Sequence, residues 1–137
     1  MKPIYAVFDT NVLVSALMSR RVDSPTVVLL DYVLDGRIVL VYNEDIVREY
    51  KEVLHRRKFD FSEDNIQRVI DLVESGLHLD RTESGEFFPD PSDRVFYEVA
   101  LSKEDGYLVT GNTRHFPQTP VVVTPAEMLA ICQKTNE

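Results

Sequence analysis

The first apolar positions come as one unbroken run, Ile4-Tyr5-Ala6-Val7-Phe8, ended by the polar triplet Asp9-Thr10-Asn11. A short continuous run rich in β-favouring residues predicts a strand buried on both faces, as in a parallel sheet. Val12 to Leu17 then reads as a short helix, with Thr10 and Asn11 suited to capping it. The polar Ser19-Arg20-Arg21 and Pro25 interrupt the chain before an apolar helix over Thr26 to Leu34, which Gly36 can end. Ile38 to Val41 predicts a second buried strand. Asn43 caps the next helix, whose first turn carries Glu44 and Asp45 where the dipole favours acids, and whose inner stripe is Ile46, Tyr50, Val53 and Leu54.

The basic cluster His55-Arg56-Arg57-Lys58 suits that helix's C-terminus. Ser62 caps an amphipathic helix carrying Ile66, Val69, Ile70 and Val73, closed by Gly76. The stretch from Asp80 to Pro89 reads as a loop, and Pro91 to Lys103 as a helix with Phe96, Val99 and Ala100 inward. Tyr107 to Val109 and Val121 to Val123 predict two more strands, and Pro125 starts a closing helix at its first turn. Strands that alternate with helices imply a parallel sheet covered by helices, so one α/β domain over residues 1–137 is expected.

Composition changes little in that picture. With 137 residues, 44% hydrophobic and 28% charged, the chain can bury a core of its own. No apolar run approaches the roughly 20 residues that span a bilayer. The N-terminal run is too short and polar for a signal peptide, so no membrane association and a cytoplasmic location are expected. Cys132 is the single cysteine, which excludes an intramolecular disulfide and points to a packing role. Charge matters more. A net charge of −8 argues against a passive nucleic-acid binder. Clustered carboxylates can still act on phosphodiesters when a bound cation inverts the local field.

The candidate chemistry lies in acids placed at element ends. Asp9 follows a parallel strand, where open α/β sheets bind ligands, although a turn or cap role explains it equally. Glu49 borders the buried stripe of its helix, unlike Glu44, Asp45 and Glu52, which read as solvated. Asp90-Pro91-Ser92-Asp93 is close to a capping box, which by itself explains both acids. A carboxylate at a helix N-terminus can also be held ready for a metal, so Asp93 is kept as a candidate and Asp90 mainly as a cap. Thr110-Gly111-Asn112 repeats the ending of the first strand. If the two strands are neighbours, Asn112 shares an edge with Asp9 and offers a carbonyl oxygen to a cation or a hydrogen bond to its water.

Taken together, Phe8-Asp9-Thr10-Asn11-Val12-Leu13-Val14, Glu49-Tyr50-Lys51-Glu52-Val53-Leu54, Asp90-Pro91-Ser92-Asp93 and Val109-Thr110-Gly111-Asn112 stand in the order and spacing of PIN-domain proteins. The chain resembles this family over essentially its whole length, and most of all the small single-domain prokaryotic members regarded as toxins of toxin–antitoxin pairs. The resemblance implies a three-layer α/β/α sandwich around a central parallel sheet. It matches Asp9, Glu49 and Asp93 to the family's first three acidic positions. The fourth, often Asp, falls here on Asn112, a departure that bears on the affinity for a second cation.

The resemblance also implies a ribonuclease in which Asp9, Glu49 and Asp93 hold Mg²⁺ or Mn²⁺, with Asn112 orienting water or phosphate. Thr10, Asn11, Asp90 and Thr110 would support those groups, and products would carry a 5′-phosphate and a 3′-hydroxyl. Oxygen donors suit both cations, which keep several waters. Without a cation the carboxylates should repel, raising at least one pKa. Arg20, Arg21 and Arg114 are the candidate contacts to RNA phosphates, beside the 55–58 cluster; no histidine is assigned a catalytic role. The same likeness implies a homodimer and a cognate antitoxin. Two other readings remain: a phosphatase using Asp9 as covalent nucleophile, which Asn11 disfavours where such enzymes carry a second Asp, and a catalytically weakened module that works by binding.

Overall fold

The computed structural model describes residues 2–135. The run at the N-terminus forms β1 (Ile4–Phe8), whose Ala6, Val7 and Phe8 have no exposed surface at all. It is followed by α1 (Thr10–Met18), α2 (Pro25–Leu34), β2 (Ile38–Tyr42), α3 (Glu44–Leu54) and α4 (Glu63–Glu74). Then come β3 (Leu77–His78), a 3-10 turn at Pro91–Asp93 running into α5 (Arg94–Leu101), and β4 (Tyr107–Val109). A second 3-10 turn at Thr113–His115, β5 (Val122–Val123) and α6 (Pro125–Thr135) complete the chain.

The five strands form one parallel sheet in the order β3-β2-β1-β4-β5. β1 is therefore central, pairing Ile4 with Ile38 on one side and Phe8 with Val109 on the other. The chain winds outward from β1 through β2 to β3, then returns to place β4 on β1's free side. That reversal makes the carboxyl ends of β1 and β4 the point where an open α/β sheet presents a crevice. Helices cover the sheet as an α/β/α sandwich: α2 packs on β2, α1 and α6, α5 lies against β1, β2 and β4, and α3 packs on α4. Cys132 is buried in α6 and belongs to the core.

Local chemistry explains where several elements begin and end. Asn43 accepts the Ile46 amide at 2.9 Å and Ser62 the Asn65 amide at 3.1 Å, both as expected of N-caps. Gly36 takes φ +82° after α2. Of the residues read as possible caps of α1, Asp9 takes the role rather than Thr10 or Asn11: its carboxylate accepts the Thr10 amide at 2.8 Å. The helix expected over Pro91 to Lys103 is shorter. Its first turn is tightened by Asp90, which accepts the Ser92 amide at 3.0 Å. Its last turn closes where the Ser102 hydroxyl donates to the Glu98 carbonyl.

β3 has no counterpart among the expected strands, because two residues carry no period of their own. It exists only as a ladder on β2, pairing Leu77 with Val41 and His78 with Tyr42. Gly76 makes the approach feasible: a Cβ there would stand 2.0 Å from the Leu40 carbonyl oxygen.

Candidate active site

Asp9 leaves β1 pointing into the crevice between β1 and β4. Only 8% of it is exposed, and all its carboxylate contacts are donors. Oδ1 accepts the Thr10 amide at 2.8 Å; Oδ2 accepts the Asn11 side-chain amide at 3.1 Å and the Thr110 hydroxyl at 2.7 Å. Thr110 has no exposed surface, and its hydroxyl oxygen also accepts the Asn112 amide at 3.0 Å. Asn11 uses its other end to accept the Gly111 amide at 3.1 Å. The two strand ends are thus laced together by side chains, and Asp9 is both the cap of α1 and the deepest acid of the site.

Glu49 comes from α3, half-buried at the border of its inner stripe, and accepts the Thr10 hydroxyl at 3.0 Å. Its neighbour Tyr50 is buried and donates its hydroxyl to the Phe8 carbonyl, which fixes α3 against the end of β1. Asp93 sits at the start of α5 with 15% of its side chain exposed, and the His115 imidazole lies 3.7 Å from its carboxylate. Asp90 is exposed and held by the Ser92 amide and hydroxyl.

A cleft of about 260 Å³ gathers these groups: Asp9, Thr10, Asn11, Glu49, Asp90, Asp93 and Asn112 all line it. Thr110 lies directly beneath, bonded to Asp9. Asn112 presents a side chain that no protein group binds among the described residues. Arg20, Arg21 and Arg114 do not line the cleft; all three are exposed, and Arg21 pairs with Asp23 at 3.2 Å. Four further lining residues lie outside the expected site set: the apolar Val14 and Val53, and His115 and Phe59. His115 shares the 3-10 turn that follows Asn112, a proximity visible in the sequence but overshadowed by its surface-turn setting. Phe59 arrives from the α3–α4 connection. A larger cavity, of about 750 Å³, is walled in part by Glu98 with Arg81 and Arg94, charges already matched to one another.

The electrostatics set the acid cleft apart. Burial pushes the Asp9 carboxyl up, against the hydrogen bonds from Thr110 and Thr10 and the field of His115. Burial also raises Glu49; the Thr10 hydroxyl works against this, while Glu52 and Asp9 add to it. Asp93 is pushed up to about 6, first by burial and then by the charges of Asp9 and Asp90, with His115 opposing. Asp90 moves the other way, lowered by its bond from the Ser92 amide. The three acids that face one another are therefore the ones whose ionised forms are disfavoured.

A hard cation would relieve that repulsion, and the donors are all oxygens, as Mg²⁺ and Mn²⁺ require. Among the described residues, no three His, Cys, Asp or Glu side chains are drawn together tightly enough to hold an ion unaided. A cation that retains several waters suits such spacing. On donor chemistry and charge the residues fit the group.

Compared with protein-family models, residues 5–114 match the PIN domain. That span includes Asp9, Glu49, Asp93 and Asn112, and the protein belongs to the PIN-domain family. PIN domains are generally metal-dependent nucleases. The sequence matches no curated protein and no solved structure. No helix among the described residues is long and apolar enough to cross a membrane.

Proposed function

We propose that this protein is a metal-dependent ribonuclease that hydrolyses phosphodiester bonds in the acid cleft. The observation that carries the reading is the convergence of Asp9, Glu49 and Asp93, from three different elements, in one cleft where burial raises all three carboxyls and the charge of Asp9 raises Glu49 and Asp93 further. Asp9, Glu49 and Asp93 would hold Mg²⁺ or Mn²⁺. When bound, such an ion supplies Lewis acidity for the phosphoryl oxygens and lowers the pKa of water. The chain's own residues do the positioning. Thr110 and Asn11 fix the Asp9 carboxylate, Thr10 holds Glu49 to α1, and Asn112 offers an unoccupied amide to orient water or a phosphate oxygen.

The test is cleavage of single-stranded RNA by rigorously purified protein in Mn²⁺. Activity should vanish with a chelator. It should fall by roughly a hundredfold or more in Asp9→Asn, because several kcal/mol of charge stabilisation rest on that ligand. Unchanged cleavage by a folded Asp9→Asn variant would sink the proposal. Absence of cleavage by the wild type, together with tight RNA or protein binding, would select the weakened-module reading that Asn112 motivates.

Arg20, Arg21 and Arg114 enter as peripheral phosphate contacts. Replacing Arg114 by Ala should lower the slope of log affinity against log salt by about 1, and an unchanged slope removes it from the path. The family likeness extends the reading to a toxin with a cognate antitoxin that covers the acid edge, and to a homodimer. Co-expression with the adjacently encoded protein, followed by size measurement and an inhibition assay, tests both.

A further inference from the structure

The connection between α3 and α4 brings together two features that capping and core packing do not explain. After Leu54 the chain reads His55-Arg56-Arg57-Lys58-Phe59-Asp60-Phe61. It turns through Asp60, at φ +53°, so that the rings of Phe59 and Phe61 stack in parallel, 5.4 Å apart and 8° from coplanar. Phe61 packs against the core. Phe59 instead rests on Phe61 and forms part of the wall of the cleft that holds Asp9, Glu49 and Asp93.

The cations beside it divide into two pairs. His55 is bonded to Glu63 at 2.7 Å and Arg56 to Glu52 at 3.2 Å. Among the described residues no carboxylate pairs with Arg57 or Lys58, in a protein whose acids outnumber its bases. The Lys58 ammonium stands 5.1 Å from the centre of the Phe59 ring. A helix dipole accounts for basic residues after α3, but it gives no reason for an aromatic ring in the wall of an acidic cleft.

We propose that Phe59 is a base-stacking seat for single-stranded RNA, with Arg57 and Lys58 engaging the phosphates on either side. An aromatic face beside mobile cations is the arrangement that binds unpaired nucleotides, because every base has a π-face and every linkage a charge. A base already stacked within a duplex cannot take that seat, so the site selects single strands. This inference rests on the acid cleft being the place where the phosphodiester is cut.

The chain contains no tryptophan, so Phe59→Trp installs a single indole at the seat, excited selectively at wavelengths where the six tyrosines do not absorb. Its emission should be quenched by a short single-stranded oligouridylate and left unchanged by inorganic polyphosphate. Phe59→Ala should weaken oligouridylate binding by about tenfold and raise the KM for cleavage by a similar factor, while Phe59→Trp restores both. Adding Arg57→Ala or Lys58→Ala to the Phe59→Trp protein should flatten the salt dependence of binding and keep the quenching. The seat is overturned if oligouridylate binds without quenching, if polyphosphate alone quenches, or if Phe59→Ala cleaves with unchanged KM. In that last case the nuclease reading survives. Quenching by RNA in a protein that cleaves nothing would have the opposite meaning: the seat stands and the nuclease reading falls.

Discussion

Replacing Asp93 by Asn should make the metal-free protein more stable at neutral pH. The amide keeps the shape of the side chain and removes a charge that burial, Asp9 and Asp90 all disfavour. The folded carboxyl sits near 6 against an ordinary 3.8. Folded protein therefore holds a proton that unfolded protein has released between those two values. The stability tied to that proton is complete below about pH 4 and is lost as pH rises to about 6. At about 1.4 kcal/mol per pH unit the full penalty would be about 3 kcal/mol. Asp93 retains 15% of its side-chain exposure and faces His115, so screening reduces the expected gain in Asp93→Asn to about 1–2 kcal/mol. Urea denaturation followed by far-ultraviolet circular dichroism, in chelator, reads this directly. The variant's midpoint should lie about 0.5–1 M higher at pH 7.5 and coincide with the wild type near pH 4. Saturating Mn²⁺ should shrink or reverse the difference, because the cation stabilises the wild type and has lost a ligand in the variant. Parallel stability curves for the two proteins from pH 4 to 8 would refute the account of a strained carboxylate.

Two perturbations test the frame that holds the cleft. Glu98 is 2% exposed and accepts Arg81 at 2.6 and 3.0 Å and the Ser84 amide at 3.0 Å, tying the loop before Asp90 to α5. Glu98→Ala should cost about 2 kcal/mol, discounted because Arg81 is partly exposed, and limited proteolysis should then cut near residues 80–89; an uncut, equally stable variant would show the clamp is idle. Gly76→Ala sets a Cβ against the Leu40 carbonyl, so β3 must move off β2 at a cost of about 3 kcal/mol, read as a fall in urea midpoint. A near-neutral result there would mean that the β2–β3 ladder yields easily.

Much of the candidate site is legible along the chain because its members sit at element ends, where sequence signals are strongest. Asp9 and Asn112 follow apolar runs, Asp90 and Asp93 flank a Pro at a helix start, and Glu49 adjoins a helical stripe. Asp9 and Asp90 also show why such signals are ambiguous: each caps its element in the structure, and Asp9 lies deep in the acid cleft as well. Phe59 escapes notice because nothing in its neighbourhood along the chain refers to the acids, and His115, three residues after Asn112, reads as a surface turn residue until the fold sets it beside Asp93. The expectation of a raised carboxyl is general, and packing alone makes it fall most heavily on Asp93.

The alternation of buried strands and amphipathic helices is written in the order of residues, because burial on one or both faces imposes a period on the chain. Most caps and turn glycines are written there too, since they depend on residues within a few positions. Strand order is not, and the site depends on strand order. Placing β4 beside β1 brings the Thr110 hydroxyl within 2.7 Å of Asp9 across 101 residues of chain. Tertiary pairing also creates β3, a two-residue strand defined by its partner, and the field in which Asp9, Glu49 and Asp93 titrate. Periodicity reports which face of an element is buried. Which element covers that face, and which charges meet across it, depends on contacts between residues far apart in the chain.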